Sequence, residues 1–154
     1  MCQSAYVHIP FCEQICAYCD FFRCGYNSFL AKQWLDVMLN EIDTLKLSNL
    51  KTLYIGGGTP TSLENPMMEI LLSKLKPSLS NGVEYTMEAN VSHLNDEKLS
   101  LITRYGVNRI SLGIQSFQDA LLEQIGRTHR QKDILPCLER IHRHGIHNIS
   151  IDLI

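Results

Sequence analysis

Cys12, Cys16 and Cys19 form a C-x3-C-x2-C run just after a short apolar strand, Tyr6-Val7-His8-Ile9-Pro10. Three closely spaced thiolates can hold an iron–sulfur cluster and leave one iron without a protein ligand. A fully ligated electron-transfer cluster takes four cysteines, so a set of three points to a vacant iron that binds something else, and therefore to chemistry beyond electron carriage. A structural zinc site closes four ligands, usually as two C-x2-C pairs; no second pair follows here, although His8 could complete a set. The bunching of the cysteines, with no signal-peptide pattern and no membrane-length apolar run, speaks against a disulfide framework and for a reducing compartment. Cys24 lies near the run but out of register and reads as a loop or partly buried thiol, while Cys2 and Cys137 read as a terminal thiol and a helix-core thiol.

Short apolar strands alternating with longer amphipathic segments must position these thiols. Periodicity predicts strands over 5–9, 52–55 and 84–88, at Ile110, Leu112 and Ile114, and from Asn148 through Ile154. Between them it predicts helices over 28–44, with Leu30, Trp34, Val37, Met38, Ile42 and Leu45 on one face, and over 66–75, where Pro66 suits a first turn. A third helix starts near Asn95, a good N-cap followed by Asp96 and Glu97, and stops at Gly106. Helical stretches over 118–125 and 132–144 complete the order. Regular β-α-β-α alternation with short loops implies parallel strands with right-handed crossovers, in an open doubly wound sheet or part of a barrel.

The chain has 154 residues, 45% hydrophobic and 19% charged, enough for one domain with a real core. A net charge of −2 gives no general invitation to nucleic acid or an acidic membrane surface. Ending inside the apolar strand Ile149-Ser150-Ile151-Asp152-Leu153-Ile154 leaves a strand without cover, so residues 1–154 are expected to be the N-terminal part of a longer protein, about four and a half βα units.

In parallel α/β folds ligands sit at the C-terminal ends of the strands. The cysteine run follows the first strand, Gly56-Gly57-Gly58-Thr59-Pro60 the second, Glu88-Ala89-Asn90 the third and Gln115-Ser116 the fourth, and Asp152 lies in the fifth. Any one of these alone reads as a turn or cap, but five in succession indicate one shared ligand site. The triple glycine has neither the lysine of a phosphate loop nor the spacing of a dinucleotide fold. It is expected to offer a strand edge without side chains, where a ligand approaches the backbone. Glu88 could accept from ribose hydroxyls or an ammonium, and Arg127 could hold a carboxylate in a bidentate pair.

The segments Tyr6-Val7-His8-Ile9-Pro10-Phe11-Cys12 to Cys19-Asp20-Phe21, Tyr54-Ile55-Gly56-Gly57-Gly58-Thr59-Pro60-Thr61, Glu88-Ala89-Asn90, Gly106 to Phe117, and Gly126-Arg127-Thr128-His129 together resemble the oxygen-independent coproporphyrinogen III oxidase-like family of radical S-adenosylmethionine (SAM) proteins, and within it the haem-chaperone branch. The resemblance covers nearly the whole chain. It implies an α/β fold, the N-terminal part of a partial (β/α) TIM-type barrel, with residues 1–154 as a radical SAM core domain. It implies Cys12, Cys16 and Cys19 as ligands of a [4Fe-4S] cluster and Tyr6, Gly57 and Glu88 as contacts of a SAM on the open iron. Tyr18, Gly58, Thr59, Gln115, Arg127 and Asp152 match positions that hold a second SAM in the family's oxidases. The chemistry implied is reductive cleavage of SAM to methionine and a 5′-deoxyadenosyl radical, with the protein supplying orientation and shielding.

The family's oxidases resemble one another in a further cysteine two residues after the third; here that position is Phe21. Two functions of different class follow. One is a haem chaperone passing haem to acceptor proteins; the alternative is an oxidoreductase converting coproporphyrinogen III to protoporphyrinogen IX. A third, weaker reading is a radical SAM enzyme acting on another substrate. The implied partners are haem or a porphyrinogen, a reductant such as flavodoxin or ferredoxin, and a haem acceptor, with no nucleic acid and a cytoplasmic location. His142, His144 and His147 cluster near Gly145, where a helix C-terminus accounts for them without haem.

Overall fold

The computed structural model describes residues 3–154; Cys2 lies outside the described residues. Five parallel strands make one sheet in the order β1-β4-β5-β6-β7, where β1 is Ser4–Ile9, β4 Leu50–Gly57, β5 Leu79–Asn90, β6 Arg109–Gln115 and β7 Asn148–Leu153. β2 (Phe11–Cys12) and β3 (Cys24–Gly25) pair separately, in parallel. The helices are α1 (Ser28–Leu45), α2 (Asn65–Leu75), α3 (Asp96–Arg104), α4 (Asp119–Gln124) and α5 (Gln131–Arg143). Each sheet neighbour is reached through a helical crossover, so the alternation read from the sequence is the βα order of a partial TIM-type barrel.

Local chemistry sets the helix ends. Asn27 Oδ1 accepts from the Leu30 amide at 3.0 Å and Asn95 Oδ1 from the Lys98 amide at 2.8 Å, each satisfying an otherwise unpaired first-turn donor. Past α3, Gly106 takes a φ of 97°, which a residue with a Cβ rarely adopts.

Period-two alternation divides the sheet into two chemically opposite faces. Val7 and Ile9, Leu53 and Ile55, Tyr85, Met87 and Ala89, and Ile110, Leu112 and Ile114 are buried in one apolar core with Ala31, Leu35 and Ile42 of α1, Met68, Leu71 and Leu72 of α2, Leu99 and Ile102 of α3, and Ile134 and Ile141 of α5. The alternate positions bring polar side chains into register: Glu88 is paired with Ser111, Asn90 with Gly113, and Gly113 with Asp152.

Three details differ from the expectation. The buried face of α1 is Ala31, Leu35 and Ile42, with Trp34 and Met38 partly covered; Leu30, Val37 and Leu45 are exposed. The 31/35/38/42 series holds the i, i+4, i+7 spacing closest to the sheet. β5 starts at Leu79 rather than near 84 and pairs Leu79 with Leu50 before the register jumps to Thr52 and Glu84. The Ser80-Asn81-Gly82 sequence reads as a turn, and the chain accommodates it as an irregularity with Gly82 at φ 76°. The β2–β3 pair was not expected, because two-residue strands carry no period.

Candidate functional site

Fifteen residues after β1 the chain returns to its start. The Cys24 amide donates to the Pro10 carbonyl and the Tyr26 amide to the Cys12 carbonyl, both at 2.8 Å, which closes the cysteine loop at its base. Within the loop the Cys19 amide donates to the Cys16 carbonyl at 3.3 Å, and Arg23 braces it by donating to the carbonyls of Cys16 (3.0 Å) and Phe21 (3.1 Å). Cys12 is buried. Burial raises its thiol pKa, and the charges of Cys19 and Cys16 raise it further, against the Thr59 hydroxyl and Arg23, which lower it. Cys16 and Cys19 are thus both in electrostatic reach of Cys12. Cys24 is exposed on β3 and Cys137 is buried in α5.

Beside the loop, above the polar face of the sheet, lies a cavity of about 430 Å³. Its wall includes Tyr18 and Cys19 from the loop, Gly57, Gly58 and Thr59 after β4, Glu88 at the end of β5, Gln115 at the end of β6, Arg127 from the turn between α4 and α5, and Asp152 of β7. The structure therefore gathers eight of the nine residues expected around a cofactor, and one of the three cysteines, at one cavity. Cys16 lines a small adjoining pocket with Glu13, His93 and Arg127. Tyr6 does not reach the main cavity; its ring stacks on Tyr54 with centroids 5.7 Å apart.

Glu88 is held from two sides, by the Tyr54 hydroxyl at 2.8 Å and the Gly57 amide at 3.0 Å. Burial raises its pKa, and these two donors oppose the rise. Tyr54 is itself pushed up to about 12 by burial and by the Glu88 carboxylate. Gln115 adopts a left-handed φ of 69°, uncommon for a residue with a side chain, where the β6–β7 register shifts. Arg127 donates to Asn90 Oδ1 at 2.6 Å and to the Tyr18 hydroxyl at 2.9 Å, leaving its buried Nε without a partner among the described residues.

The triple glycine also works differently from the expectation. Gly56 and Gly57 continue β4, paired with His8 and Ile9 of β1, so they form no free strand edge. A Cβ at Gly56 would stand 2.8 Å from Glu88 and Tyr54, one at Gly57 2.8 Å from the His8 ring and the Ile9 carbonyl, and one at Gly58 2.7 Å from the Phe11 carbonyl. The glycines are required first by the protein's own close packing. His8 is not free to ligate a metal either: its Nε2 pairs with the Phe22 carbonyl at 2.9 Å and its Nδ1 with the Tyr6 hydroxyl at 3.4 Å.

Several contributors escaped the sequence reading. Ser111 donates to Asp152 at 3.3 Å, and Asn90 links Arg127 to Thr59; both occupy the polar alternate positions of their strands, which a count of that second face would have picked out. His93 accepts from Thr61 at 3.2 Å and donates to Glu13 at 3.1 Å, clamping the cysteine loop to the loop after β4. His129 is buried and donates to the Ile114 carbonyl at 3.1 Å, fixing the Arg127 turn onto β6. At the far end of α5, His144 pairs with Asp96 at 2.9 Å and His142 faces His147 at 3.2 Å.

These donors fit a cluster with one open iron. Three thiols lie in one braced loop, Cys24 stands at its base outside the C-x3-C-x2-C run, and the adjoining cavity is lined by the Glu88 carboxylate, Arg127 and two glycines. Among the described residues no three His, Cys, Asp or Glu side chains converge as ligands of a single metal ion.

The sequence pattern of the radical SAM superfamily matches residues 6–154, and the chain belongs to that superfamily. Among curated relatives, it is 46% identical to the heme chaperone HemW of Bacillus subtilis, over 98% of this chain and 42% of that protein. It is 30% identical to the anaerobic coproporphyrinogen III oxidase 1 of Cereibacter sphaeroides, over 98% of this chain and 35% of that protein. Among solved structures, it is similar to Escherichia coli coproporphyrinogen III oxidase (HemN), a radical SAM enzyme, with a TM-score of 0.88 and 28% identity over 96% of this chain and 36% of that one. The chain spans about two fifths of the length of the heme chaperones it matches. No helix among the described residues is long and apolar enough to cross a membrane.

Proposed function

We propose that this chain is the cofactor-binding core of a haem chaperone of the radical SAM type, which binds haem and passes it to acceptor proteins. Cys12, Cys16 and Cys19 hold a [4Fe-4S] cluster. Gly57 and Glu88 would contact the SAM at its open iron, with Tyr6 behind them stacked on Tyr54, and Tyr18, Gly58, Thr59, Gln115, Arg127 and Asp152 line the space beyond. When bound, the cluster would supply the electron for reductive cleavage of SAM, with a flavodoxin or ferredoxin of the cytoplasm as the reductant. The chain's own residues orient and shield: Glu88, held by Tyr54 and Gly57, accepts from an ammonium or ribose hydroxyls, and Arg127 donates to a carboxylate.

One observation carries this reading. Phe21 lines the cavity beside Cys19 and is 71% exposed, so an apolar ring stands where the oxidases place a further thiol. The 46% identity to a heme chaperone, against 30% to an oxidase, supports it. The second reading, oxidation of coproporphyrinogen III, is favoured by the TM-score of 0.88 with the E. coli oxidase. The test uses full-length protein, reconstituted anaerobically with iron and sulfide, reduced, and incubated with SAM and either haem or coproporphyrinogen III. Stoichiometric haem binding without porphyrinogen turnover is the expected result. Formation of protoporphyrinogen together with 5′-deoxyadenosine would establish the oxidase instead.

A further inference from the structure

A continuous hydrogen-bond chain joins Arg127 to the first cysteine. Arg127 donates to Asn90 Oδ1 at 2.6 Å, Asn90 Nδ2 donates to Thr59 Oγ1 at 3.4 Å, and the Thr59 hydroxyl donates to Cys12 Sγ at 3.5 Å. Its direction is fixed by chemistry. A guanidinium has donors only, so Asn90 must turn its oxygen to Arg127 and its amide nitrogen to Thr59. With its oxygen occupied as an acceptor, Thr59 directs its proton at the sulfur. Every link therefore points the same way, from a permanent positive charge towards Cys12 Sγ.

We propose that Arg127, Asn90 and Thr59 form a directed donor relay that sets the reduction potential of the cluster through Cys12. The inference rests on the reading of Cys12 as a cluster ligand. Aligned hydrogen bonds polarise one another, and the low dielectric around Thr59 and Cys12, 7% and 6% exposed, strengthens them. A donor on a ligating sulfur stabilises the more negative, reduced cluster and so raises its potential. Gly113 makes room for the relay: a Cβ there would stand 3.1 Å from the Arg127 guanidinium and 3.2 Å from Asn90 Oδ1. Arg127, Asn90 and Thr59 act on the cluster as positioning residues in this role, whatever else they touch.

The test is a redox titration of the reconstituted full-length protein, followed by the electron paramagnetic resonance of the reduced cluster, with iron and sulfide measured on each sample. Thr59→Val, which removes the last donor, is expected to lower the equilibrium constant for reduction about tenfold, or ~59 mV for a one-electron couple. Thr59→Ser is expected to stay at the wild-type value. Asn90→Ala should shift the potential in the same direction by less, and the Thr59→Val/Asn90→Ala double variant should fall no lower than Thr59→Val alone, because both act through one sulfur. Equal potentials for Thr59→Val and Thr59→Ser would overturn the relay, as would single shifts that simply add in the double variant. If Thr59→Val holds no iron, Asn90→Ala decides: a wild-type potential there overturns the relay and a lowered one supports it. A wild-type protein that assembles no cluster overturns the ligand assignment, and the relay with it.

Discussion

The Tyr18 hydroxyl accepts a hydrogen bond from Arg127 at 2.9 Å, which ties the cysteine loop to a turn 109 residues further along the chain. This bond and the His93–Glu13 clamp are side-chain ties between the loop and the rim of the sheet. Tyr18→Phe removes the acceptor and keeps the ring. With about 1 kcal/mol of charge-assisted bonding lost, cleavage of the loop in native-state proteolysis should accelerate roughly fivefold. Mapping the cut sites would show whether the change is confined to residues 13–23.

Cys16→Ala should abolish iron binding, whereas Cys24→Ala should leave iron and sulfide content unchanged, since Cys24 is an exposed thiol at the base of the loop. Equal iron content in both variants would refute the ligand assignment.

Two glycine substitutions should separate binding from folding. At Gly113 a new Cβ meets the flexible ends of Gln115, Arg127 and Asn90, at 2.9, 3.1 and 3.2 Å. Gly113→Ala should therefore weaken SAM binding by about tenfold while changing stability by less than ~1 kcal/mol. At Gly58 the contacts are main-chain atoms of Phe11 and Pro10 at 2.7 and 2.9 Å, which cannot swing aside. Gly58→Ala should lower stability by about 1–3 kcal/mol. Isothermal titration and urea melts would distinguish the two.

Lys98 is buried under the loop after β4 and donates to the Leu63 carbonyl. Burial depresses its pKa to about 8, against the opposing pull of Glu97, Glu13 and Glu64. The folded state thus binds its proton less tightly than the unfolded chain does. The sign follows from linkage: this contribution to stability is full above the unfolded pKa near 10.5 and lost as pH falls through about 8. Between pH 8 and 10.5 the wild type should gain on the order of 1–2 kcal/mol relative to Lys98→Met in urea unfolding, with a flat difference below pH 8.

Where the sequence was legible, a simple period or a close spacing was at work. Ile110, Leu112 and Ile114 alternate, so β6 and its buried face follow from the chain alone, and the C-x3-C-x2-C run identifies the loop without any coordinates. The strand ends bring Glu88, Gln115 and Asp152 together because parallel topology places all those ends on one rim. What stayed hidden depends on distance in space. Asn90 matters because Arg127, Thr59 and Gly113 surround it, and no local pattern announces them. Tyr6 stacks on Tyr54 because β1 pairs with β4, a register that cannot be read from β1 by itself. Gly56, Gly57 and Gly58 looked like an open approach for a ligand, yet the space of their missing side chains is taken by neighbours on β1, β4 and β5 and by Pro10 and Phe11.

The ring formed by β2, residues 13–23 and β3 is closed at its base by main-chain hydrogen bonds. In a zinc finger the metal gathers its ligands and the backbone follows, so chelation unfolds the domain. Here the Cys24–Pro10 and Tyr26–Cys12 main-chain bonds join the two ends of the cysteine loop, so its base carries a restraint that a zinc knuckle leaves to its metal. The span between the first and last residues of the loop is thereby tied to the β1–β4 frame rather than to the side chains within it.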